Sequence, residues 1–170
     1  SLMNYADISL GTWYPMGGMH KFIEAFEKIA TEQGVKIKTD CEIQGFELVD
    51  KLISAIQSSQ GVFPADIVLS GADYQHTDKK LLNGNANYSD SYWNKRTMAP
   101  SCLLFYVGLN KRVQNLEHHN LFFDEDFSRH AEEIYKHPKW PTSPLFYLSV
   151  PSVTDPSVAP EGCENMFFLI

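Results

Sequence analysis

The chain has 170 residues, 44% of them hydrophobic and 21% charged, and 14 basic against 21 acidic side chains leave a formal net charge of −7. That length holds one sizeable core or two small lobes sharing an interface, and that composition excludes a disordered chain; no window reaches the about 18 uninterrupted apolar residues of a membrane span. The acidic balance, with no dense Lys/Arg cluster, gives no electrostatic support for a phosphate backbone, so nucleic acid is not expected as a partner.

The chain opens on "SLMNYADISLG" and stops at "ENMFFLI", inside an apolar run. This is the pattern expected of a piece excised from a longer polypeptide, with Ser1 a residue introduced at the cut. From Met19 the residues Phe22, Ile23, Phe26, Ile29 and Ala30 recur at helical spacing, with Lys21, Glu24, Glu27, Lys28 and Glu32 opposite. The spacing predicts an amphipathic helix of about four turns that ends at Gly34 and packs one face on a neighbour. "VKIKT", "EIQGFELV" and "KLISAIQS", broken by Asp40 and Asp50, then predict a small antiparallel meander. "ADIVLSGA" is a continuous apolar run, the pattern of a strand buried on both faces of a parallel sheet.

From Asp73 to Pro100 the chain turns polar, as a crossing between lobes would. Strands are predicted at "SCLLFYVGLN", "HNLFF", "PLFYLSVP" and "NMFFLI", a helix at "EDFSRHAEEIYKH", and a proline-punctuated loop at "PSVTDPSVAPEGCE". The fold class is therefore mixed α/β in two lobes.

Few residues suggest chemistry. Cys41, Cys102 and Cys163 are single, distant and odd in number, which fits three buried thiols in a reducing compartment and no metal knuckle. His118 and His119 are adjacent, so on a strand they would point to opposite faces and could not share a metal; no metal site is expected. Ser152 and Asp155 lack a G-x-S-x-G elbow, and "PSVTDPS" reads better as a turn built by Pro151, Asp155 and Pro156. Gly17 and Gly18 before the helix offer either an anion cradle of free N–H groups or a simple turn. The aromatic-rich second half suits the wall of an apolar pocket or an ordinary core.

The phrases "LGTWYPMGGMHKFIEAFEKIATEQGVKIKTDCEIQGFELVDKLISAI", "ADIVLSGADYQHT", "LLFYVGLNK", "LEHHNLFF" and "YLSVPSVTDPSVAPEGCENMFFLI" together resemble the middle of a bacterial-type phytoene desaturase. These are FAD-dependent carotenoid desaturases within the flavin amine-oxidase-like superfamily. The resemblance covers nearly the whole chain; "HHNLFF" with "PSVTDPSVAPEG" carries the carotenoid-desaturase relation, and the glycine pair, helix and meander are shared more widely. It implies a partial amine-oxidase-like fold divided into a substrate-domain segment at 1–14, part of the FAD domain at 15–76 and a mixed-sheet substrate portion at 77–170. Residues 65–72 would rejoin the FAD-domain sheet. It implies FAD binding, with a backbone contact to adenine at Ile43 and a close approach at Gly17 and Gly18. The G-x-G-x-x-G turn and a second flavin segment would lie outside the chain, so the chain alone is expected to bind FAD weakly or not at all and to be inactive.

The resemblance further implies a parent enzyme that desaturates a long apolar polyene such as phytoene by hydride transfer to the flavin. Aromatic and aliphatic walls would position such a substrate, with Phe105, Tyr106, Phe122, Phe146 and Tyr147 as tunnel candidates, although alternate side chains on each strand must face away. No acid or base is identified. The parent would be cytoplasmic and touch a membrane surface to collect its substrate, with the charged helix at 125–137 a poor inserter. Two other readings stand beside it: another flavin oxidoreductase of the superfamily, retinol-saturase-like or an amine oxidase, and a non-catalytic lipid- or isoprenoid-binding module.

Overall fold

The computed structural model describes residues 2–82 and 84–170. Ser1, and Asn83 within the polar crossing, lie outside the described residues. Contacts divide the chain into two units, one made of Ser1–Val35 with Ala99–Ile170 and the other of Lys36–Met98. This is a different division from 1–14, 15–76 and 77–170.

In the first unit, helix α1 spans Leu2–Leu10 and α2 spans His20–Glu32. The second was predicted, and its end is a glycine-dependent cap: Val35 donates to the Ala30 carbonyl and Gly34 to that of Thr31, with Gly34 at φ +84°. Its apolar face is not packed as expected. Phe22, Ile23, Phe26 and Ile29 are all exposed, because no element of this unit lies over them.

The rest of this unit is a four-stranded antiparallel sheet in the order β4-β7-β6-β5, with β4 at Leu104–Leu109, β5 at His119–Phe122, β6 at Phe146–Ser149 and β7 at Glu164–Leu169. Between β5 and β6 lie α5 (Phe127–Ala131) and a π-helical turn at Glu132–Lys136. Registers Val107↔Met166, Leu148↔Phe168 and Asn120↔Leu148 put Leu148, Met166, Phe168, Phe146 and Phe122 on one face. That face packs with Val150, Leu109, Val113 and Leu116 as the core. The opposite face carries Tyr106, Phe167, Tyr147, Ser149 and His119.

In the second unit, β1 (Ile43–Val49), β2 (Leu52–Ser58) and β3 (Gly61–Pro64) form an antiparallel meander. The hairpin between β1 and β2 turns on Asp50 and Lys51, both at positive φ, the two-residue turn whose twist suits a hairpin. The meander is shifted from the expected one: residues 35–39 form no strand, and "GVFP" pairs with β2 instead. The predicted strand at 65–72 is also absent. Ile67 and Leu69 are 90% and 96% exposed, since no neighbouring strand supplies the ladder that an apolar run needs. Both sheets are antiparallel, so the parallel pairing inferred from that run does not occur here.

The polar crossing folds into α3 (Tyr74–His76), a π-helical turn at Thr77–Leu81 and α4 (Asp90–Asn94). Its centre is the buried Asp78, which accepts from Trp93 Nε1 at 2.8 Å and Asn87 N at 2.6 Å. Burial works to raise the Asp78 pKa, and these donors together bring it below the ordinary carboxylate value. Tyr74, Tyr88 and Tyr92 surround the Trp93 ring edge to face. Cys41 and Cys163 are half-buried and Cys102 is exposed, so the expectation of three buried thiols fails. No helix among the described residues is long and apolar enough to cross a membrane.

Candidate functional site

The sheet face turned away from the core is the floor of an open cleft of about 740 Å3. Tyr106 on β4, Phe167 on β7, Tyr147 on β6 and His119 on β5 share that face by register, with Tyr106 stacked on Phe167 at 5.6 Å between centroids. Residues 12–19 form a wall through Trp13, Tyr14, Gly18 and Met19, and Pro151 and Val158 close one end.

A long-range hydrogen bond helps to hold that wall. The Asp155 carboxylate, 1% exposed, accepts from Gly17 N at 2.5 Å across 138 residues, and from the Ser157 amide and hydroxyl at 3.0 and 2.6 Å. The Ser157 hydroxyl and then the Gly17 amide hold the Asp155 pKa below its usual value. Gly18 N donates to the Pro15 carbonyl at 3.1 Å. Neither glycine N–H is therefore free for an anion, which overturns the cradle of free donors. The glycines serve a turn instead, at φ +92° and +98°, where a side chain would be strained. "PSVTDPS" is likewise a turn: two 3-10 turns at Pro151–Val153 and Pro156–Val158, with Asp155 between them. Ser152 is not a nucleophile on display, being buried and donating to Glu164.

The histidines differ from expectation as well. His118 precedes β5 in a bend, so strand alternation does not apply to it, and its ring lies 4.4 Å from that of His119 in the same cleft. His118 Nδ1 is 2.9 Å from Thr154 Oγ1, and the Tyr14 ring meets it edge-on at 4.6 Å. Burial, and secondarily the neighbouring His119, lower the His118 pKa; burial, and secondarily the Asp155 charge, raise that of Tyr14. His119 Nδ1 lies 2.5 Å from the Tyr147 hydroxyl. Among the described residues no group of three or more His, Cys, Asp or Glu side chains is placed to hold a metal.

The five tunnel candidates divide by face. Tyr106 and Tyr147 line the cleft. Phe122 and Phe146 stack on each other at 4.5 Å within the core, and Phe105 sits on the same side as they do, 47% exposed at the sheet margin. Phe167, His118, His119, Trp13 and Tyr14 were missed as cleft residues. For Phe167 and His119 the signal was parity along each strand, and parity alone does not say which set faces the core; Trp13, Tyr14 and His118 lie outside the strands.

Ile43 opens β1, the edge strand of the meander. Its neighbour Glu42 directs both N–H and C=O toward β2, donating to Ser59 Oγ at 3.1 Å and accepting from Ser59 N at 2.9 Å. The β1–β2 register is irregular between Ile43 and Gly45.

No family model matches the chain. Among curated proteins it is 36% identical to carotenoid 3,4-desaturase of Haloarcula japonica, over the whole chain and 34% of that protein's length. It is 34% identical to 4,4'-diapolycopene oxygenase of a Methylomonas species, over 96% of the chain and 33% of that protein. It is 33% identical to phytoene desaturase of Fusarium fujikuroi, over the whole chain and 30% of that protein. The phrases that carried the resemblance, "HHNLFF" and "PSVTDPSVAPEG", meet in space at the cleft. The chain spans about a third of the length of these relatives, and over all of its own length it is homologous to carotenoid and phytoene desaturases.

Proposed function

We propose that this chain works as part of an FAD-dependent oxidoreductase that desaturates a long, largely apolar polyene of the carotenoid class. Homology to carotenoid and phytoene desaturases along the whole chain carries this reading. The cleft supports it: a hydrocarbon chain offers almost nothing to hydrogen-bond, so an aromatic floor such as Tyr106, Phe167 and Tyr147 must position it by shape and dispersion.

Bound FAD would supply the hydride acceptor. In this reading its adenine meets the backbone at Ile43, on the edge strand of the meander. Gly17 and Gly18 do not fit as phosphate donors, because their amides are already bonded. Their part is to bend the chain so that Trp13, Tyr14 and Met19 form one wall of the cleft. The protein is cytoplasmic in this reading and meets a membrane surface to collect its substrate. No observation favours an amine oxidase, a retinol-saturase-like reductase or a non-catalytic lipid-binding module.

The whole protein, purified and scanned through the near-ultraviolet and visible, tests the reading. Anaerobic addition of a long polyene in liposomes is expected to bleach a flavin spectrum as the polyene gains a conjugated double bond. A flavin spectrum indifferent to polyenes would move the substrate elsewhere, and a colourless protein would sink the flavoenzyme reading altogether.

A further inference from the structure

We propose that His119 and Tyr147 form a polar anchor in the cleft that selects a polyene bearing a hydroxyl group over the corresponding hydrocarbon. The proposal rests on the reading of the cleft as a polyene site.

The two side chains are a hydrogen-bonded pair, His119 Nδ1 to Tyr147 hydroxyl at 2.5 Å, with their rings near-parallel at 24° and 5.9 Å apart. Both belong to the cleft floor. Phe167 meets the Tyr147 ring edge-on at 6.0 Å, and His118, itself held by Thr154, lies against His119 on the other side. The pair is thus a fixed polar spot set among aromatic surfaces.

Whichever atom donates between them, the pair keeps one donor and one acceptor unused. If Tyr147 donates to Nδ1, His119 Nε2 carries the remaining N–H and the phenol oxygen a lone pair. If Nδ1 donates, the phenol O–H is the remaining donor and Nε2 the acceptor. Neither side chain has another hydrogen-bond partner among the described residues. Water satisfies these groups while the cleft is open. A hydrocarbon seated on the floor removes that water and returns nothing, so each covered group is left unpaired. A hydroxyl replaces the water in either arrangement, because it donates and accepts at once. Sites with committed polar groups discriminate strongly against ligands that lack the matching group. For a hydrocarbon alone, two phenylalanines would serve better at these positions.

The test is equilibrium binding to the whole protein, read as quenching of tryptophan fluorescence, since Trp13 lines the cleft. The probes are all-trans-retinol and its deoxygenated hydrocarbon. The expected result is about tenfold tighter binding of the alcohol. In Tyr147→Phe and in His119→Phe that ratio should fall to near one, by weaker alcohol binding with the hydrocarbon unchanged or tighter. A merely structural hydrogen bond would alter both probes together. A wild-type ratio near one, or a preference that survives both substitutions, overturns the anchor while leaving the polyene cleft intact. Failure of both probes to bind overturns the cleft reading, and the anchor with it.

Discussion

Which side of the four-stranded sheet is core and which is cleft can be tested by truncating one aromatic on each. Phe146 stacks on Phe122 at 4.5 Å and packs against Leu148, Val150 and Met166. Tyr106 lies on the opposite face, 80% exposed, stacked on Phe167. A buried Phe→Ala change costs about 3–5 kcal/mol in lost transfer energy and cavity. Phe146 is only partly buried, so the low end applies, about 3 kcal/mol. Tyr106→Ala loses one exposed stacking contact, about 1 kcal/mol. For a chain of this size each kcal/mol moves the unfolding midpoint by about 2–4 °C. Thermal unfolding followed by circular dichroism should therefore fall by about 6–12 °C for Phe146→Ala and about 2–4 °C for Tyr106→Ala. Polyene affinity should respond in the opposite order. A Tyr106→Ala midpoint as low as that of Phe146→Ala would mean that the core lies on the other face, and the cleft would have to be abandoned.

Glu133 titrates at about 2, held down first by the Thr142 amide at 2.7 Å and then by the Lys139 ammonium at 3.0 Å. Because its folded value lies below the ordinary 4.5, its contribution to stability is complete above that pH and is lost as the pH falls from 4.5 toward about 2. Denaturation of wild type and Glu133→Gln across that window should show their difference closing as acid is added; a constant gap would contradict the assignment. Gly17→Ala meets Lys21 Cε at 2.9 Å, which a flexible lysine end can relieve, so the cost comes from φ +92° and should be about 1 kcal/mol, read as a midpoint lower by about 2–4 °C. His118 should titrate by NMR below 6.5, since burial opposes its charged form, and the neutral ring's contribution to stability should be full above 6.5 and decline as pH drops through the folded value. A midpoint above 6.5 would mean that His118 is not enclosed by Tyr14 and Thr154.

Local pattern carried what depends on nearest neighbours. The spacing of Phe22, Ile23, Phe26 and Ile29 with Gly34 defined α2, because helix hydrogen bonds and a left-handed cap are closed within a few residues. Asp50 marked the β1–β2 turn for the same reason, and four apolar runs marked β4 to β7. "HHNLFF" and "PSVTDPSVAPEG" also carry the carotenoid-desaturase relation, which extends along the whole chain.

Strand pairing and strand parity were decided only by the tertiary structure. "ADIVLSGA" has the composition of a buried strand, yet a strand exists only where another backbone answers its N–H and C=O groups, and among the described residues only Ala65, at its first position, finds one, donating to the Ser54 carbonyl at 3.1 Å. Phe146 and Tyr147 are adjacent and equally aromatic, but the register of β6 against β7 sends one to the core and the other to the cleft. The wall of the cleft depends on Gly17 meeting Asp155 across 138 residues. Nothing local to either residue encodes that meeting, because the energy that holds it arises only after the sheet has brought the two segments together.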